Sequence, residues 1–291
     1  MQRKQIHPQG PEFSRIIAGV WKWMDEQTIE KCIHAALDCG ITTFDHADIY
    51  GKYTIEELFG KVLKREPGLR SKMELVTKCG IKLLTDNHPN HRIKHYDTSY
   101  EHIITSVDNS LQHFDTDYID LLLIHRPDPL MNCEEVAEAF DELERSGKVL
   151  YFGVSNFTTT QFEMLQSYLS MPLVTNQVEV SLFKNDLLFN GLTDVMQVHR
   201  TGIMAWSPLG SGKFFDDTMR MQHLSVLADK YEATVAQVLF AWLLHHPTNV
   251  FPITGTTKPE RIDEASKSLT IDLDKQDWFA MLKLVTGRDV A

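Results

Sequence analysis

At 291 residues, 43% of them hydrophobic, the chain can bury one large core, and α/β barrels occupy this length as a single domain, expected here over residues 1–291. A formal charge of -11 disfavours nucleic acid and anionic membrane surfaces, which need a basic face, and leaves a small molecule as the expected partner. No apolar run is long enough to span a bilayer or follows Met1 to His7 as a signal peptide would, and Cys32, Cys39, Cys79 and Cys133 stand singly, so a cytoplasmic protein with reduced thiols is expected; oligomeric state leaves no trace.

Along the chain, short β-rich runs alternate with amphipathic helices. Residues 2–12, with turn chemistry at Pro8-Gln9-Gly10-Pro11, predict a hairpin. Strands are predicted over Ile16 to Val20, Thr42 to Phe44, Met73 to Thr77, Tyr118 to Ile124, Leu150 to Val154, Leu173 to Thr175, Ile203 to Trp206 and Val250 to Ile253, eight in all. Between them, Thr98 with Glu101 reads as a capping box ahead of a stripe formed by Ile104, Val107, Leu111 and Phe114. Asn132 caps a helix with Val136, Phe140 and Leu143 on its inner face, and Gly147 stops it. Thr158 with Gln161 opens another helix. Thr234 to His246 is apolar nearly all round, as in a helix wedged between neighbours.

Eight alternating units make either an open doubly wound sheet or a closed barrel. No G-x-G-x-x-G follows the first strand, where Ala18-Gly19-Val20-Trp21 stands. Polar groups instead end one strand after another: Asp45, with Tyr50 in the following loop, then Lys78, His125, Ser155 with Asn156, and Asn176 with Gln177. Taken singly, an Asp after a strand is usually a cap, a Lys is solvated, and a His or Tyr is packing. A ring of them at consecutive strand ends is the mouth of a (β/α)8 TIM barrel, with the hairpin closing the bottom.

Seven segments in order carry a resemblance to the aldo-keto reductases, from about Phe13 to about Leu269: Phe44-Asp45-His46-Ala47 with Tyr50-Gly51, Thr77-Lys78, Leu123-Ile124-His125-Arg126-Pro127, Gly153-Val154-Ser155-Asn156-Phe157, Asn176-Gln177-Val178-Glu179, Ala205-Trp206-Ser207-Pro208-Leu209-Gly210 and Gly255-Thr256-Thr257-Lys258-Pro259-Glu260-Arg261-Ile262. The members it most resembles are bacterial reductases with short loops. The resemblance implies reduction of an aldehyde or ketone by hydride from a nicotinamide cofactor. Such a reaction needs a proton donor, and a tyrosine is too weak an acid unless a cation stabilises its phenolate. Tyr50 is thus the expected general acid, Lys78 and Asp45 its tuning pair, and His125 the group that orients the carbonyl, the positions of the family's tetrad.

By the same resemblance, Ser155, Asn156 and Gln177 bind the carboxamide and Trp206 stacks on the nicotinamide. Gly19, Val20 and Trp21 contact the cofactor, while Ser207, Leu209, Gly210, Ser211, Gly212 and Lys213 lie along the pyrophosphate. Gly255, Thr256, Lys258 and Arg261, with Thr257 to Glu260 capping the last helix, suit a ribose 2′-phosphate, so NADP(H) is the preferred cofactor. Gly255 and Ala265 stand where many members carry a phosphate-binding Lys and an adenine-contacting Asn, which leaves NAD(H) usable. His46 replaces the usual small Thr or Ser. It is expected to pack behind the strand end, the alternative being a ring that alters the pH profile.

Trp21 and Trp23 are placed to line an apolar substrate cleft framed by Lys82 to Tyr96 and Leu182 to Leu192, with Met131, Phe183 and Phe189 as weaker candidates. No cluster of cations in the sequence points to an acidic substrate. Pro89 and Asn90 break the register of His88, His91 and His95, so no metal is expected there. A Schiff-base lyase is a poor fit, since a Lys78 held charged by Asp45 is the wrong protonation state. The remaining alternative is a cofactor-binding regulatory or scaffold protein.

Overall fold

The structure, a computed structural model, describes residues 2–212 and 217–290. Eight parallel strands close into a barrel in sequence order: β1 (Ile17–Gly19), β2 (Thr43–Asp45), β3 (Glu74–Cys79), β4 (Ile119–Ile124), β5 (Val149–Ser155), β6 (Leu173–Glu179), β7 (Gly202–Trp206) and β8 (Val250–Thr254), with β8 pairing back to β1. This is the (β/α)8 TIM barrel expected, with each predicted strand present and its ends within four residues of those expected. β3 and β6 run further than expected, which places Lys78, Asn176 and Gln177 inside strands rather than after them.

Two-residue alternation divides the core. Ile17, Val76, Leu121, Leu123, Val174, Met204, Phe251 and Ile253 pack together inside the barrel, whereas Phe44, Leu75, Leu122 and Ile203 belong to the clusters packed with the helices. The same parity carries Asp45, Lys78, His125 and Ser155 inward near the strands' C-terminal ends, while in β6 a register shift between Leu173 and Asn176 changes the parity and turns Gln177 inward to Asp45. Gly153 shows how tight the interior is: a Cβ there would sit 2.8 Å from both Leu123 Cδ2 and the Thr175 carbonyl. The N-terminal hairpin pairs Arg3–Gln5 with Glu12–Ser14, and its Ile6 and Phe13 join the interior cluster. The Ile6 carbonyl accepts from the first amide of β7, Gly202, at 2.7 Å, so the hairpin closes the N-terminal end.

Several helix signals hold. Asn132 caps Cys133–Arg145, followed by Gly147 at φ +71°, and complete capping boxes at Thr158 and Thr234 open Thr159–Gln166 and Val235–Leu244. Every residue from Gln237 to Leu243 is buried, as the all-round apolar pattern requires. Two caps differ. Ser99, not Thr98, accepts from the His102 amide, and Thr98 instead donates to Asp128 at 3.2 Å, since the short hydroxyl one residue later is the one placed at the helix mouth. The buried stripe of Tyr100–Phe114 is accordingly Ile103, Ser106, Val107, Ser110 and Phe114, with Ile104 and Leu111 only partly buried. Among the described residues, no helix is long and apolar enough to cross a membrane.

Candidate active site

Lys78 is the centre of the site. Extended β3 aims its side chain into the barrel, where Nζ donates to Asp45 Oδ2 at 2.9 Å, to the His46 carbonyl at 2.6 Å and to Tyr50 Oη at 3.2 Å. All three donor positions are filled, which is what a fully buried ammonium needs. Burial would lower its pKa, but Asp45 and Tyr50 outweigh that and raise it, so Lys78 stays charged. Burial pushes the Asp45 carboxyl up against the opposing pull of Lys78 and of Gln177, whose Nε2 donates to Oδ1 at 2.6 Å. Burial also raises the Tyr50 pKa, with Lys78 pulling it down. His125 packs edge-on to Tyr50, ring centroids 6.2 Å apart, and burial together with Lys78 and Arg126 drives its pKa well below 6.5, leaving a neutral imidazole.

A cleft of about 1090 Å³ opens above these groups. Asp45, Tyr50, His125, Ser155, Asn156, Gln177, Trp206, Ser207, Leu209, Ser211, Gly212, Gly255, Thr256, Lys258, Arg261 and Trp21 all line it. Ser155 Oγ donates to the Gln177 backbone carbonyl and accepts from Asn156 Nδ2 at 2.7 Å, and Trp206 Nε1 donates to Asn156 Oδ1 at 3.0 Å, so one network fixes Ser155 and Asn156 beside the indole while Asp45 holds the Gln177 side chain. Asn156 at φ +62° and Ser207 at φ +55° leave their strands through left-handed backbone, which turns the following residues across the mouth.

Five expectations need correction or restriction. Trp23 is fully buried and donates to the Thr256 carbonyl at 2.9 Å, so it braces the loop after β8 instead of lining the cleft. Gly19 and Val20 lie behind the cleft; a Cβ on Gly19 would meet Ile253 Cγ2 at 2.7 Å, so its smallness serves packing of β1 on β8. Gly210 packs against Phe183 and is not among the lining residues. The helix Pro259–Lys267 begins at Lys258 without any side-chain cap, unlike the expected Thr257 cap; Pro259 has no amide hydrogen and the Arg261 amide donates to the Lys258 carbonyl at 3.0 Å, so only the Glu260 amide of the first turn is unpaired among the described residues. Lys213 lies outside the described residues.

The departures also have structural reasons. Trp21, 52% exposed, leans over Gly255 so closely that a Cβ there would lie 2.6 Å from its Nε1. His46 is sealed between Phe59 and Phe114, centroids 4.4 and 4.8 Å away, and neither ring nitrogen has a partner among the described residues. Burial and Lys78 hold it neutral. His46→Ala should therefore cost about 2–4 kcal/mol in chemical unfolding through the cavity left, and activity measured across neutral pH should keep its profile. The three loop histidines pack on one another and on Tyr53, with His88 and His91 stacked at 5.0 Å.

Sequence reasoning missed Lys22, Arg126, Phe240 and Glu264, which also line the cleft. Arg126 was findable, as the neighbour of His125. It also missed the partly buried Asp48, which accepts from Ser106 Oγ at 3.1 Å; its other oxygen is sealed from solvent with no partner among the described residues, and this desolvation with nearby Glu56 pushes its pKa to about 8. The unfolded chain ionises this group near 3.8. Stability contributed by the neutral carboxyl is thus lost progressively as pH rises from there to about 8. Asp48→Asn should raise the melting temperature, by more at pH 8 than at pH 5.

A sealed ammonium bonded to a carboxylate and a tyrosine, beneath a long cleft at a barrel mouth, defines an oxidoreductase-type site. The profile of the Aldo/keto reductase family matches residues 15–285, and the chain belongs to that family. It is 48% identical over its full length, and over 100% of the relative, to the uncharacterized oxidoreductase YcsN of Bacillus subtilis. It is 45% identical to the 6-dehydroglucose reductase of Agrobacterium fabrum, covering 96% of this chain and 97% of that one. Among solved structures, a thermostable aldo-keto reductase, Tm1743, in complex with the inhibitor epalrestat, superimposes with a TM-score of 0.85 at 29% identity, covering 98% of this chain and 100% of that one.

Proposed function

We propose that this oxidoreductase reduces an aldehyde or ketone to the alcohol using NADPH, with Tyr50 as proton donor. The observation that carries this reading is the bridge of Lys78 Nζ between Asp45 Oδ2 and Tyr50 Oη at 2.9 and 3.2 Å, directly beneath the cleft. The cofactor supplies hydride when bound. Ser155, Asn156 and Gln177 would hold its carboxamide, with Trp206 as the ring's platform. Its fit is supported by the cleft's length and by the cations along it: Lys22, Lys258 and Arg261 have no carboxylate within ion-pair distance among the described residues, and the uncapped helix start at Lys258 favours an anion.

In the reaction, a neutral His125 donates one N–H to the carbonyl oxygen and polarises it. As negative charge builds on that oxygen, Tyr50 passes it a proton, and the phenolate left behind is held by the Lys78 ammonium. Asp45 keeps Lys78 charged and in place. The likeness to the 6-dehydroglucose reductase supports a sugar aldehyde as the substrate class.

The test is a fluorescence titration with NADPH and NADH followed by assay of an aldehyde and ketone panel. Binding of neither nucleotide below millimolar concentration would sink the reading. Arg261→Ala should weaken NADPH by roughly 10- to 100-fold, the worth of a charged hydrogen bond, and NADH far less. Equal losses would remove Arg261 from recognition of the 2′-phosphate.

A further inference from the structure

We propose that Arg126 is a specificity-determining residue, donating hydrogen bonds to hydroxyl oxygens beside the reacting carbonyl and so selecting polyhydroxylated aldehydes. This assignment rests on the reductase reading and names its substrate class. Arg126 directly follows His125, is half-buried and lines the cleft that Tyr50 and His125 line. Among the described residues it has neither an ion-pair nor a hydrogen-bond partner. A structural arginine in the same fold behaves otherwise: Arg70 donates to Thr116, to the Met73 and Tyr118 carbonyls and to Asp120. Unlike Arg15 Nη1, no Arg126 nitrogen is sealed from solvent, so the hydroxyls of a ligand would replace water on a guanidinium that the protein itself leaves unpaired.

Topology separates Arg126 from the phosphate side of the cleft. It follows β4, whereas Lys258 and Arg261 follow β8, four strands away around an eight-stranded ring. From β4 it reaches over the mouth until its guanidinium carbon lies 5.7 Å from the centroid of Trp206.

The experiment compares glyceraldehyde with propanal, equal in carbon number and differing by two hydroxyls. Wild type should prefer glyceraldehyde, and Arg126→Leu should lower that preference, the ratio of kcat/KM values, by about 30-fold, chiefly through KM. Comparing each aldehyde with itself between variants cancels its hydration in water. NADPH quenching confirms folding, and Arg126→Gln reads the same ratio should the leucine variant not fold. A ratio insensitive to Arg126, or a loss confined to succinic semialdehyde against butanal, overturns the assignment while leaving the reductase reading intact. So does a weakening of NADPH that accounts for the whole effect, which would make Arg126 a brace for Trp206. Wild type that reduces none of the four aldehydes overturns both readings.

Discussion

Replacing Tyr50 by Phe is expected to lower aldehyde reduction by about 10²- to 10⁴-fold, the usual worth of a positioned general acid, with NADPH binding retained. The structure ranks the two candidate donors. His125 is held neutral by burial and by the charges of Lys78, Arg126 and Lys94, so it offers a hydrogen bond but has no imidazolium proton to give near pH 7. Tyr50 is half-buried with its hydroxyl against Lys78 Nζ, which stabilises the phenolate that proton transfer creates. The same shifts predict the pH profile. Since the Tyr50 pKa is raised above 10, the acid form persists through neutral pH, and kcat should fall only on the alkaline side. The His125 pKa lies well below 6.5, so no limb should appear between pH 6 and 7. Steady-state rates of Tyr50→Phe against wild type decide the matter: an undiminished rate removes Tyr50 from proton transfer.

Lys78→Met should be the most damaging single change to stability, at about 3–5 kcal/mol, because it leaves the Asp45 carboxylate buried with only Gln177 as a side-chain partner. Activity should be lost with it, since Tyr50 then faces no cation. The double variant Lys78→Met with Asp45→Leu separates the two effects. It should recover much of the stability, having no unpaired charge to bury, and none of the activity. The pair's pH behaviour follows from the raised Lys78 pKa: its stabilisation is present below the ordinary lysine value of 10.5 and is lost as pH rises through the higher folded value. Denaturant melts at pH 7 and above 10.5 measure this; a Lys78→Met variant as stable as wild type would mean that the pair contributes nothing net.

Much of the candidate site was legible because the relevant pattern is local. Asp45 ends a buried run, Lys78 another and His125 a third, and an ionisable residue there has no packing rationale. Strand parity then turns each inward. Boundaries were less legible: β6 continues to Glu179 through Asn176 and Gln177, polar residues that read as a strand's end until neighbouring strands supply their hydrogen-bond partners. Trp21 and Trp23 differ for the same reason. They share residue type, and contacts from distant segments, the carbonyl of Thr256 and the ring of Phe44 at 6.2 Å, hold Trp23 in the core while Trp21 stays over Gly255.

By itself, then, the sequence determined the eight alternating strands, the barrel they form, and the four groups at its mouth, because alternation, caps and polar strand ends are written within a few residues of one another. Only the tertiary structure decided which groups meet. The closure of β8 on β1, the convergence of Asp45, Tyr50 and Gln177 around Lys78, the sealing of His46 between Phe59 and Phe114, and the reach of Arg126 to Trp206 all depend on contacts between distant segments. Such contacts form when the ring closes, and no local periodicity encodes them.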